Sequence, residues 1–496
     1  QLVLGTRAPT VVGCSRASGL GIGTTKAVNS QPTQDVLVVG AGITGLATAY
    51  FLRRGGVRVS LVDQGKRAGG VIRSQPKDGF LFEHGPNSFL KLTPQLDNLV
   101  TDLGIRDEVE FADDKAKNRY IVRDGRLLPL PLNPISAIGT RLFPLKSKLR
   151  VLKEPFVPAA GPDVEESLAE FVVRRLGRDM LDYAINPFVA GVYAGVPEEL
   201  SVQAGFPKLY QLEQRYGSLI KGAIRGSKER KKQQSTATPG RMFSFKEGMQ
   251  TLVDALAARL SDSLYTEARV VGILRNQSGF EVTLDSQHRT WTLACRTLVM
   301  AIPAYAYESI QCNFDFPVRG SLEQISYPPV AVVFLGFNKR PTDMNLNGFG
   351  FLVPEKERRH ILGTIWSSSI FSNRAPSDGV ALTTFVGGSR WPESAGLSDD
   401  RLLDLIAADL SDLMYIKEKP DIVLVKRWPR AIPQYNLGHL SVVRAVEDVE
   451  QRTPGLHITG NFRGGISVTD CIEHSRALSE RLLAGQPQLR SVSSGG

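Results

Sequence analysis

Apolar residues near the start of the chain form two short runs on either side of a helical stretch. Asp35–Gly40 is a brief β-branched run of the kind that forms a buried parallel strand. The helical stretch continues through Leu46–Arg54 and stops at the pair Gly55 and Gly56. Because Val57–Asp63 is a second apolar run, the pattern predicts a strand–helix–strand unit.

The turn between this strand and this helix carries three glycines at GxGxxG spacing. Gly40 permits a tight turn, Gly42 lets backbone approach a pyrophosphate, and Gly45 lets the helix pack closely on the strand. The helix N-terminus offers free N–H groups to phosphates. Asp63 ends the second strand, where a carboxylate can accept hydrogen bonds from ribose hydroxyls. The sequence therefore predicts a bound dinucleotide, and an acid at this position argues against NADP.

Apolar and alternating runs return later in the chain, at Val330–Phe337, Gly348–Val353, Ile361–Ser367 and Ala381–Gly387. Their spacing predicts a mostly antiparallel sheet that is separate from the nucleotide-binding unit. Helical patterns dominate between about residues 147 and 219.

Two further pieces of chain are predicted to join the nucleotide-binding unit. Ala268–Leu274 and Thr297–Ala301 have the pattern of its strands. Near the C-terminus, Gly455–Asn461 is predicted to form a strand that ends in a glycine turn. Gly464–Glu473 then begins a helix that continues to about Leu483. The unit is therefore expected to be discontinuous in sequence.

Length and composition limit the possible classes of protein. A chain of 496 residues exceeds what one hydrophobic core usually organises, so two or three domains are expected. No apolar run reaches the 18 residues that a membrane-spanning helix needs. The four cysteines lie far apart and the six histidines do not pair at ligand spacing. We therefore expect neither a disulfide framework nor a metal site.

Charge and the chain ends add little about chemistry. The net charge of +10 is concentrated in Lys221–Lys232, which favours a solvated loop over a nucleic-acid or membrane surface. Residues 1–34 contain no acidic residue, which is typical of an organelle transit sequence, although a disordered tail fits equally well. Residues 486–496 are also predicted to be a disordered tail.

Several segments resemble the FAD-dependent protoporphyrinogen oxidase family of the amine oxidase superfamily. They are Arg119–Ile121, Asn186–Gly191, Gly348–Pro354, Phe385–Arg390 and Gly460–Glu473. The resemblance covers about residues 35–483. It implies an α/β protein with a Rossmann-type FAD-binding domain, an α+β substrate domain with a mainly antiparallel sheet, and a helical membrane-binding domain.

The resemblance also implies domain boundaries. The FAD-binding domain would comprise residues 35–113, 265–303 and 445–485, the helical membrane-binding domain residues 119–220, and the substrate domain residues 221–264 and 304–444.

FAD is the cofactor that the resemblance implies. Non-covalent binding is expected because no cysteine lies just before Gly460, where some amine oxidases tether the flavin. The residues expected to contact FAD are Gly40, Ala41, Gly42, Ile43, Thr44, Gly45, Asp63, Gln64, Gly69, Gly70, Val71, Gly85, Pro86, Asn87, Ser88, Val271, Gly460, Asn461, Gly465, Ile466, Ser467 and Val468.

The implied reaction is the oxygen-dependent six-electron oxidation of protoporphyrinogen IX to protoporphyrin IX, with release of hydrogen peroxide, in haem or chlorophyll biosynthesis. Arg119 is expected to hold a substrate propionate, since a guanidinium can bind a carboxylate bidentately. Leu352, Ile365 and Phe385 are expected to flank the macrocycle, although without the resemblance they would be taken for core residues. Gly191 is expected to bring its backbone carbonyl against the reacting ring. Arg119 and Gly191 are thus the two candidate catalytic positions.

The resemblance further implies peripheral attachment to a membrane, molecular oxygen as the oxidant and no nucleic-acid partner. A homodimer, and ferrochelatase or magnesium chelatase as the next enzyme, are additional expectations. The compartment follows from residues 1–34: chloroplast or mitochondrion if they are a transit peptide, and otherwise the cytoplasmic face of a bacterial membrane.

Other functions remain open at this stage. A coproporphyrinogen III oxidase would act on a substrate with four propionates instead of two, and would need more basic anchors than Arg119, the one strong candidate. A flavin amine oxidase would share the FAD segments but would lack the family-specific segments Asn186–Gly191 and Phe385–Arg390. A carotenoid desaturase is a third alternative. An FAD-bound assembly factor would need the site without turnover.

Overall fold

The structure is a computed structural model. It describes residues 34–485 except 132, 162–163, 234–240, 288, 315, 317 and 343. The predictions for residues 1–33 and for the tail 486–496 lie outside the described residues.

The structure contains strands from both halves of the chain. In chain order they are β1 (Gln34–Val39), β2 (Val59–Val62), β3 (Ser74–Lys77), β4 (Phe80–Glu83), β5 (Val109–Phe111), β6 (Tyr120–Arg123), β7 (Arg126–Pro129), β8 (Phe243–Phe245), β9 (Leu264–Tyr265), β10 (Arg269–Asn276), β11 (Gly279–Asp285), β12 (Thr290–Met300), β13 (Gln311–Cys312), β14 (Val330–Phe337), β15 (Gly350–Leu352), β16 (Ile361–Ile365), β17 (Val380–Gly387), β18 (Ile422–Trp428) and β19 (Leu456–Ile458).

The helices are α1 (Ile43–Arg54), α2 (Pro94–Asp102), α3 (Pro134–Gly139), α4 (Leu145–Leu152), α5 (Leu168–Arg175), α6 (Arg178–Met180), α7 (Asn186–Tyr193), α8 (Val202–Gly205), α9 (Pro207–Tyr216), α10 (Leu219–Gln233), α11 (Gln250–Arg259), α12 (Val318–Leu322), α13 (Ser367–Ile370), α14 (Asp399–Met414), α15 (His439–Arg452) and α16 (Val468–Gly485).

The first sheet has the order β13-β10-β11-β12-β1-β2-β9, and β19 also pairs with β12. β1 lies parallel to both β2 and β12, which confirms the predicted strand–helix–strand unit. β10, β12 and β19 are the strands predicted from the two later pieces of chain. They bring residues far apart in sequence to the edge where β1 ends.

Helices pack on both faces of this sheet, and they correct the expected domain boundaries. The core beside α1 includes Leu252, Val253 and Leu256 of α11, so residues from about 243 onward belong here and not to the substrate domain. The core on the other face contains Tyr307 and Leu322, which moves residues 304–325 to the first domain as well.

The second sheet has the order β18-β14-β17-β16-β15-β6-β7. Its pairs are antiparallel except that between β15 and β6, which confirms the predicted mainly antiparallel sheet. Because β6 and β7 belong to this sheet, the helical part of the chain begins after Pro129 and not at residue 119. α14 packs on one face through Leu402, Ile406 and Leu410.

The helical segment, residues 134–233, comprises α3 to α10. A π-helical turn at Leu181–Ile185 directly precedes α7. Pro187 in the first turn of α7 lacks an N–H, which is compatible with this wider turn. The basic stretch Lys221–Lys232 lies in α10, so the expectation of a loop was wrong. Its lysines and arginines are good helix formers, and charge alone did not indicate backbone structure.

Candidate active site

The three glycines of the first turn have three different surroundings. The backbone φ of Gly40 is +100°, a value that residues with a side chain rarely adopt. A Cβ on Gly45 would overlap the backbone carbonyl of Gly40, so α1 packs directly on the end of β1. A Cβ on Gly42 would meet no protein atom within 4 Å. The predicted roles of turn, close approach and packing therefore have matching geometry.

The N-terminus of α1 is open to a ligand. Gly42 is its N-cap residue and supplies no side-chain hydrogen bond to the first N–H groups. No acidic residue lies in the first turn. Free N–H groups, the positive end of the helix dipole and the empty volume beside Gly42 suit a phosphate group.

Asp63 contacts the glycine turn directly. Its two carboxylate oxygens accept hydrogen bonds from the N–H of Ala41 at 2.6 Å and the N–H of Gly65 at 2.7 Å. Each oxygen retains a lone pair for another donor, such as a hydroxyl. Asp63 therefore fixes the turn as well as offering acceptors, a second role that the sequence did not indicate.

The segments predicted to lie along the cofactor converge on the same turn. The N–H of Gly69 donates to the carbonyl of Ala41 at 2.7 Å, and Gly70 has φ +56° beside Gly42. Gly85 lies so close to the carbonyl of Val71 that a Cβ would crowd it. Pro86, Asn87 and Ser88 follow as partly exposed residues, whereas Gln64 is exposed.

Val271 lies in β10 where the register with β11 shifts between Val270 and Gly272. The preceding Ala268 donates its N–H to the carbonyl of Asp63 at 2.8 Å. This contact brings the start of β10 to the end of β2, where the acid lies.

A second helix N-terminus reaches this edge of the sheet. The hydroxyl of Ser475 donates to the carbonyl of Thr44 at 2.9 Å, and that of Ser479 to the carbonyl of Thr48 at 3.3 Å. Both pairs are 431 positions apart, so α16 and α1 run parallel in register. Residue 43, where α1 begins, is level with residue 474, whereas α16 begins at Val468. At 1.5 Å per residue, α16 extends about 9 Å further toward the site.

The turn before α16 is tightly held. Ser467 accepts from the N–H of Asp470 at 3.1 Å, and its hydroxyl donates to the Asp470 carboxylate at 2.6 Å. Gly460 and Gly465 have φ values of +152° and +123°. Asn461 and Ile466 also lie in this Gly460–Ser467 turn. The predicted C-terminal contact residues therefore lie together at the N-terminus of α16.

Leu352, Ile365 and Phe385 lie on one face of the second sheet. Ile365 pairs with Gly350, two residues from Leu352 on β15, and both Leu352 and Phe385 pair with Gly363. Directly paired residues point to the same side of a sheet. In β15, β16 and β17 these three side chains are the only ones that are not buried. The register therefore creates an accessible apolar surface.

α7 covers part of this surface. A Cβ on Gly191 would overlap the side chain of Leu352. The reason for glycine at this position is therefore contact with Leu352, in addition to any approach to a ligand.

Arg119 lies immediately before β6, at one end of the face. Its guanidinium lies over the ring of Phe349, 5.3 Å from the centroid. Phe349 and Ile365 belong to the same apolar cluster. Desolvation by the surrounding protein lowers the pKa of Arg119, and no carboxylate in the described part of the chain acts on it. Arg119 is nevertheless exposed at the surface, so its guanidinium is a cation that can receive an anion.

Two of the segments that carry the family resemblance, Asn186–Gly191 and Phe385–Arg390, contact each other through Arg390. This side chain donates to the carbonyl of Val353 at 2.7 Å and to that of Asn186 at 3.1 Å. Burial lowers the pKa of Arg390 to about 10, a value at which it stays charged near neutral pH. The N–H of Ser389 donates to the carbonyl of Ala194 at 2.7 Å. These bonds fix α7 against the sheet.

Lys426 is a second basic residue on this face, and it was not identified from the sequence. Its register partner on β14 is Val332, which also pairs with Phe385, so Lys426 points to the same face. Its ammonium lies over the ring of Trp428, 4.2 Å from the centroid. Five strand spacings of about 4.8 Å, or roughly 24 Å, separate β18 from β6, so Lys426 and Arg119 lie at opposite ends. Lys426 is therefore a second basic candidate on this face, in addition to Arg119.

Comparison with known proteins identifies a family and close relatives. The model of the flavin-containing amine oxidoreductase family matches residues 43–483. Protoporphyrinogen oxidase 2, chloroplastic/mitochondrial, of Arabidopsis thaliana is 35% identical over 87% of this chain and 90% of its own length. Coproporphyrinogen III oxidase of Bacillus subtilis (strain 168) is 29% identical over 90% of this chain and 97% of its own.

The fold has a solved counterpart. The crystal structure of a proposed protoporphyrinogen oxidase from Exiguobacterium sp. 255-15 superimposes with a TM-score of 0.77, at 24% identity, over 92% of this chain and 100% of that one.

Proposed function

The chain belongs to the protoporphyrinogen oxidase branch of the flavin-containing amine oxidoreductases, and we propose that it oxidises protoporphyrinogen IX to protoporphyrin IX with molecular oxygen, releasing hydrogen peroxide. One observation carries the proposal: an accessible apolar face with Arg119 at its end, in the same chain as a dinucleotide turn. A flexible apolar macrocycle that bears carboxylates fits this combination.

The cofactor is FAD, and the residues at the first turn fit it. The space beside Gly42, the uncapped start of α1 and the free lone pairs of Asp63 would hold the pyrophosphate and a ribose. Because α16 extends further toward the site than α1, its N-terminus would lie nearer the flavin ring. Bound FAD supplies the two-electron acceptor that is reoxidised by oxygen.

The protein's own residues orient the macrocycle and exclude water. Leu352, Ile365 and Phe385 remove water from the face that the ring covers, and Arg119 fixes a propionate. Six electrons leave in three two-electron steps, each of which removes one hydride and one proton from the macrocycle. A dedicated acid–base pair is not required by this scheme, because the cofactor carries the difficult chemistry.

Coproporphyrinogen III is the second candidate substrate, and Lys426 favours it. Protoporphyrinogen carries two neighbouring propionates, which one basic anchor at one end of the face can serve. Coproporphyrinogen carries four propionates around the ring, and would use cations at both ends. The B. subtilis relative carries this activity in its name.

Lys426→Met separates the two substrates. We expect kcat/KM for protoporphyrinogen to change by less than about twofold, because its propionates lie at the Arg119 end. If coproporphyrinogen is the substrate, loss of a charge-assisted bond of about 1.5–3 kcal/mol should lower kcat/KM at least tenfold. Parallel assays of both porphyrinogens, with wild type and variant, measure this. A wild type that prefers coproporphyrinogen and loses that preference in the variant would reverse our choice.

Asp63→Ala should weaken FAD binding at least tenfold. The substitution removes acceptors for a ribose hydroxyl and for the N–H of Ala41, and a charge-assisted bond is worth about 1.5–3 kcal/mol. Ultrafiltration with fluorescence detection of free FAD measures the affinity. The control is Asp262→Ala, an exposed acid that pairs with Arg53 near β9. Equal affinities in the two variants would exclude Asp63 as a ribose contact.

Peripheral membrane attachment through α4 forms part of the proposal. Leu145, Leu149 and Leu152 are 71%, 51% and 68% exposed, and their i, i+4, i+7 spacing places them on one side of α4. Exposed Lys146 and Lys153 flank them, as expected for contact with anionic lipid. Among the described residues no helix has both the length and the apolarity to span a bilayer.

The triple substitution Leu145→Ser, Leu149→Ser and Leu152→Ser should reduce binding to anionic vesicles at least tenfold. Complete burial of one leucine side chain contributes about 1.5–3 kcal/mol, so partial insertion of three leucines is enough to account for a tenfold difference in vesicle binding. Co-sedimentation with phosphatidylserine-containing vesicles measures the loss. The matched control is Leu274→Ser, an exposed leucine on β10 outside the helical segment. Undiminished sedimentation of the triple variant would exclude α4 as the contact.

The compartment, a homodimer, and ferrochelatase or magnesium chelatase as the next enzyme stay predictions.

A further inference from the structure

Tyr435 connects the two ends of the turn before α16. Its hydroxyl donates to the carbonyl of Asn461 at 2.8 Å and accepts from the N–H of Gly465 at 3.0 Å. The residue is 5% exposed, and burial raises the pKa of the hydroxyl far above its usual value, so it stays protonated. One buried hydroxyl therefore pairs two backbone groups across the Gly460–Ser467 turn.

The ring of Tyr435 is fixed independently of its hydroxyl. It stacks on His439 with centroids 4.1 Å apart and planes 11° apart. Burial lowers the pKa of His439 to about 4, so this imidazole is neutral near pH 7. Removal of the hydroxyl alone should therefore leave the ring in place.

The backbone around Tyr435 is anchored to the helical segment. The N–H of Ser201 donates to the carbonyl of Tyr435 at 2.9 Å, and the N–H of Leu437 donates to the carbonyl of Glu199 at 2.8 Å. The Gln434 side-chain amide donates to the carbonyl of Tyr193 at 2.7 Å. Residues 434–437 thus lie between α7–α8 and the turn before α16.

We propose that Tyr435 is a positioning residue for the flavin, whose hydroxyl sets the shape of the Gly460–Ser467 turn and hence the position of the α16 N-terminus. The proposal rests on the cofactor contact of this turn and not on the choice of porphyrinogen. A helix N-terminus favours negative charge, and reduced flavin is more negative than oxidised flavin. Displacing the turn should therefore disfavour the reduced form.

The test is Tyr435→Phe in the FAD-loaded enzyme. We expect its flavin reduction potential to fall by about 30 mV, which for two electrons equals a tenfold loss of preference for reduced FAD. FAD release on ultrafiltration should also rise. The control is Tyr307→Phe, which removes another buried hydroxyl of the same domain, bonded to the carbonyl of Met300 at 3.2 Å. Its potential should equal that of wild type.

Amide hydrogen exchange in the wild-type holoenzyme provides a test that does not depend on how the variant folds. The N–H of Gly465 should exchange slowly, because the Tyr435 hydroxyl accepts its hydrogen bond. Fast exchange there, or a Tyr435→Phe potential equal to that of Tyr307→Phe, would overturn the positioning role while leaving the porphyrinogen proposal intact. Conversely, the enzyme could oxidise no porphyrinogen while Tyr435→Phe still shifts the flavin potential. That result would support the positioning role of Tyr435 and refute the proposed porphyrinogen substrate.

Discussion

Gly42→Ala should yield a folded protein that has lost most of its affinity for FAD. The φ of Gly42 is −69° and its ψ is 177°, which alanine adopts freely. No protein atom lies within 4 Å of the added methyl, so the apoprotein should melt within a few degrees of wild type. The methyl would occupy the space proposed for the pyrophosphate. Overpacking of this kind costs about 1–3 kcal/mol, which corresponds to a roughly 5- to 150-fold weaker FAD complex.

Two further glycine variants serve as controls for Gly42→Ala. Gly45→Ala should destabilise the apoprotein itself, because the new Cβ overlaps the backbone of Gly40. Gly320→Ala should change neither property, since Gly320 is also surrounded by open space but lies in α12. Titration of apoprotein with FAD, followed by flavin fluorescence, gives the affinities. A Gly42→Ala protein that binds FAD as tightly as Gly320→Ala would show that the cofactor does not pass over this turn.

Arg119→Ala should raise KM for protoporphyrinogen about 30-fold or more while the FAD content stays normal. Removing one partner of a partly desolvated charge pair costs about 2–5 kcal/mol, and the exposure of Arg119 favours the lower end of that range. The apolar face provides the remaining binding, so activity should fall without vanishing. Steady-state assays at saturating oxygen measure the change.

Three comparisons identify what Arg119 does. Arg119→Lys should restore part of the loss, because an ammonium cannot reproduce a bidentate contact. Arg289→Ala should have no effect, although Arg289 also lies over an aromatic ring, that of Trp291, 4.5 Å from the centroid. With an esterified substrate the Arg119→Ala loss should largely disappear. An equal loss with acid and ester would mean that Arg119 supports the fold or the flavin and not a propionate.

Local sequence was sufficient for the glycine turn and for most strands. The three glycines act over a few residues, so GxGxxG spacing and the following acid determine their geometry. The strands at 330–337, 361–365 and 380–387 have clear apolar patterns, and an antiparallel sheet follows from them.

Long-range pairing set the features that local sequence could not reveal. Residues 243–260 and 304–325 join the first domain through contacts with α1 and β10, and no nearby residue indicates this. Lys426 faces the apolar surface only because β18 pairs with β14 in one particular register. The contact of Tyr435 with Gly465 spans thirty positions and depends on the placement of α16. The sequence therefore shows which residues are present, but these strand registers and long-range contacts cannot be predicted from it by local patterns.

Anaerobic mixing of the FAD-loaded enzyme with protoporphyrinogen IX tests the proposed function most directly. Electron transfer from substrate should bleach the oxidised flavin absorbance within a single turnover, and admitting oxygen should restore the absorbance with formation of hydrogen peroxide. Polyamines and aromatic amines should leave the flavin oxidised. Flavin that bleaches with an amine and stays oxidised with protoporphyrinogen would contradict the proposed function.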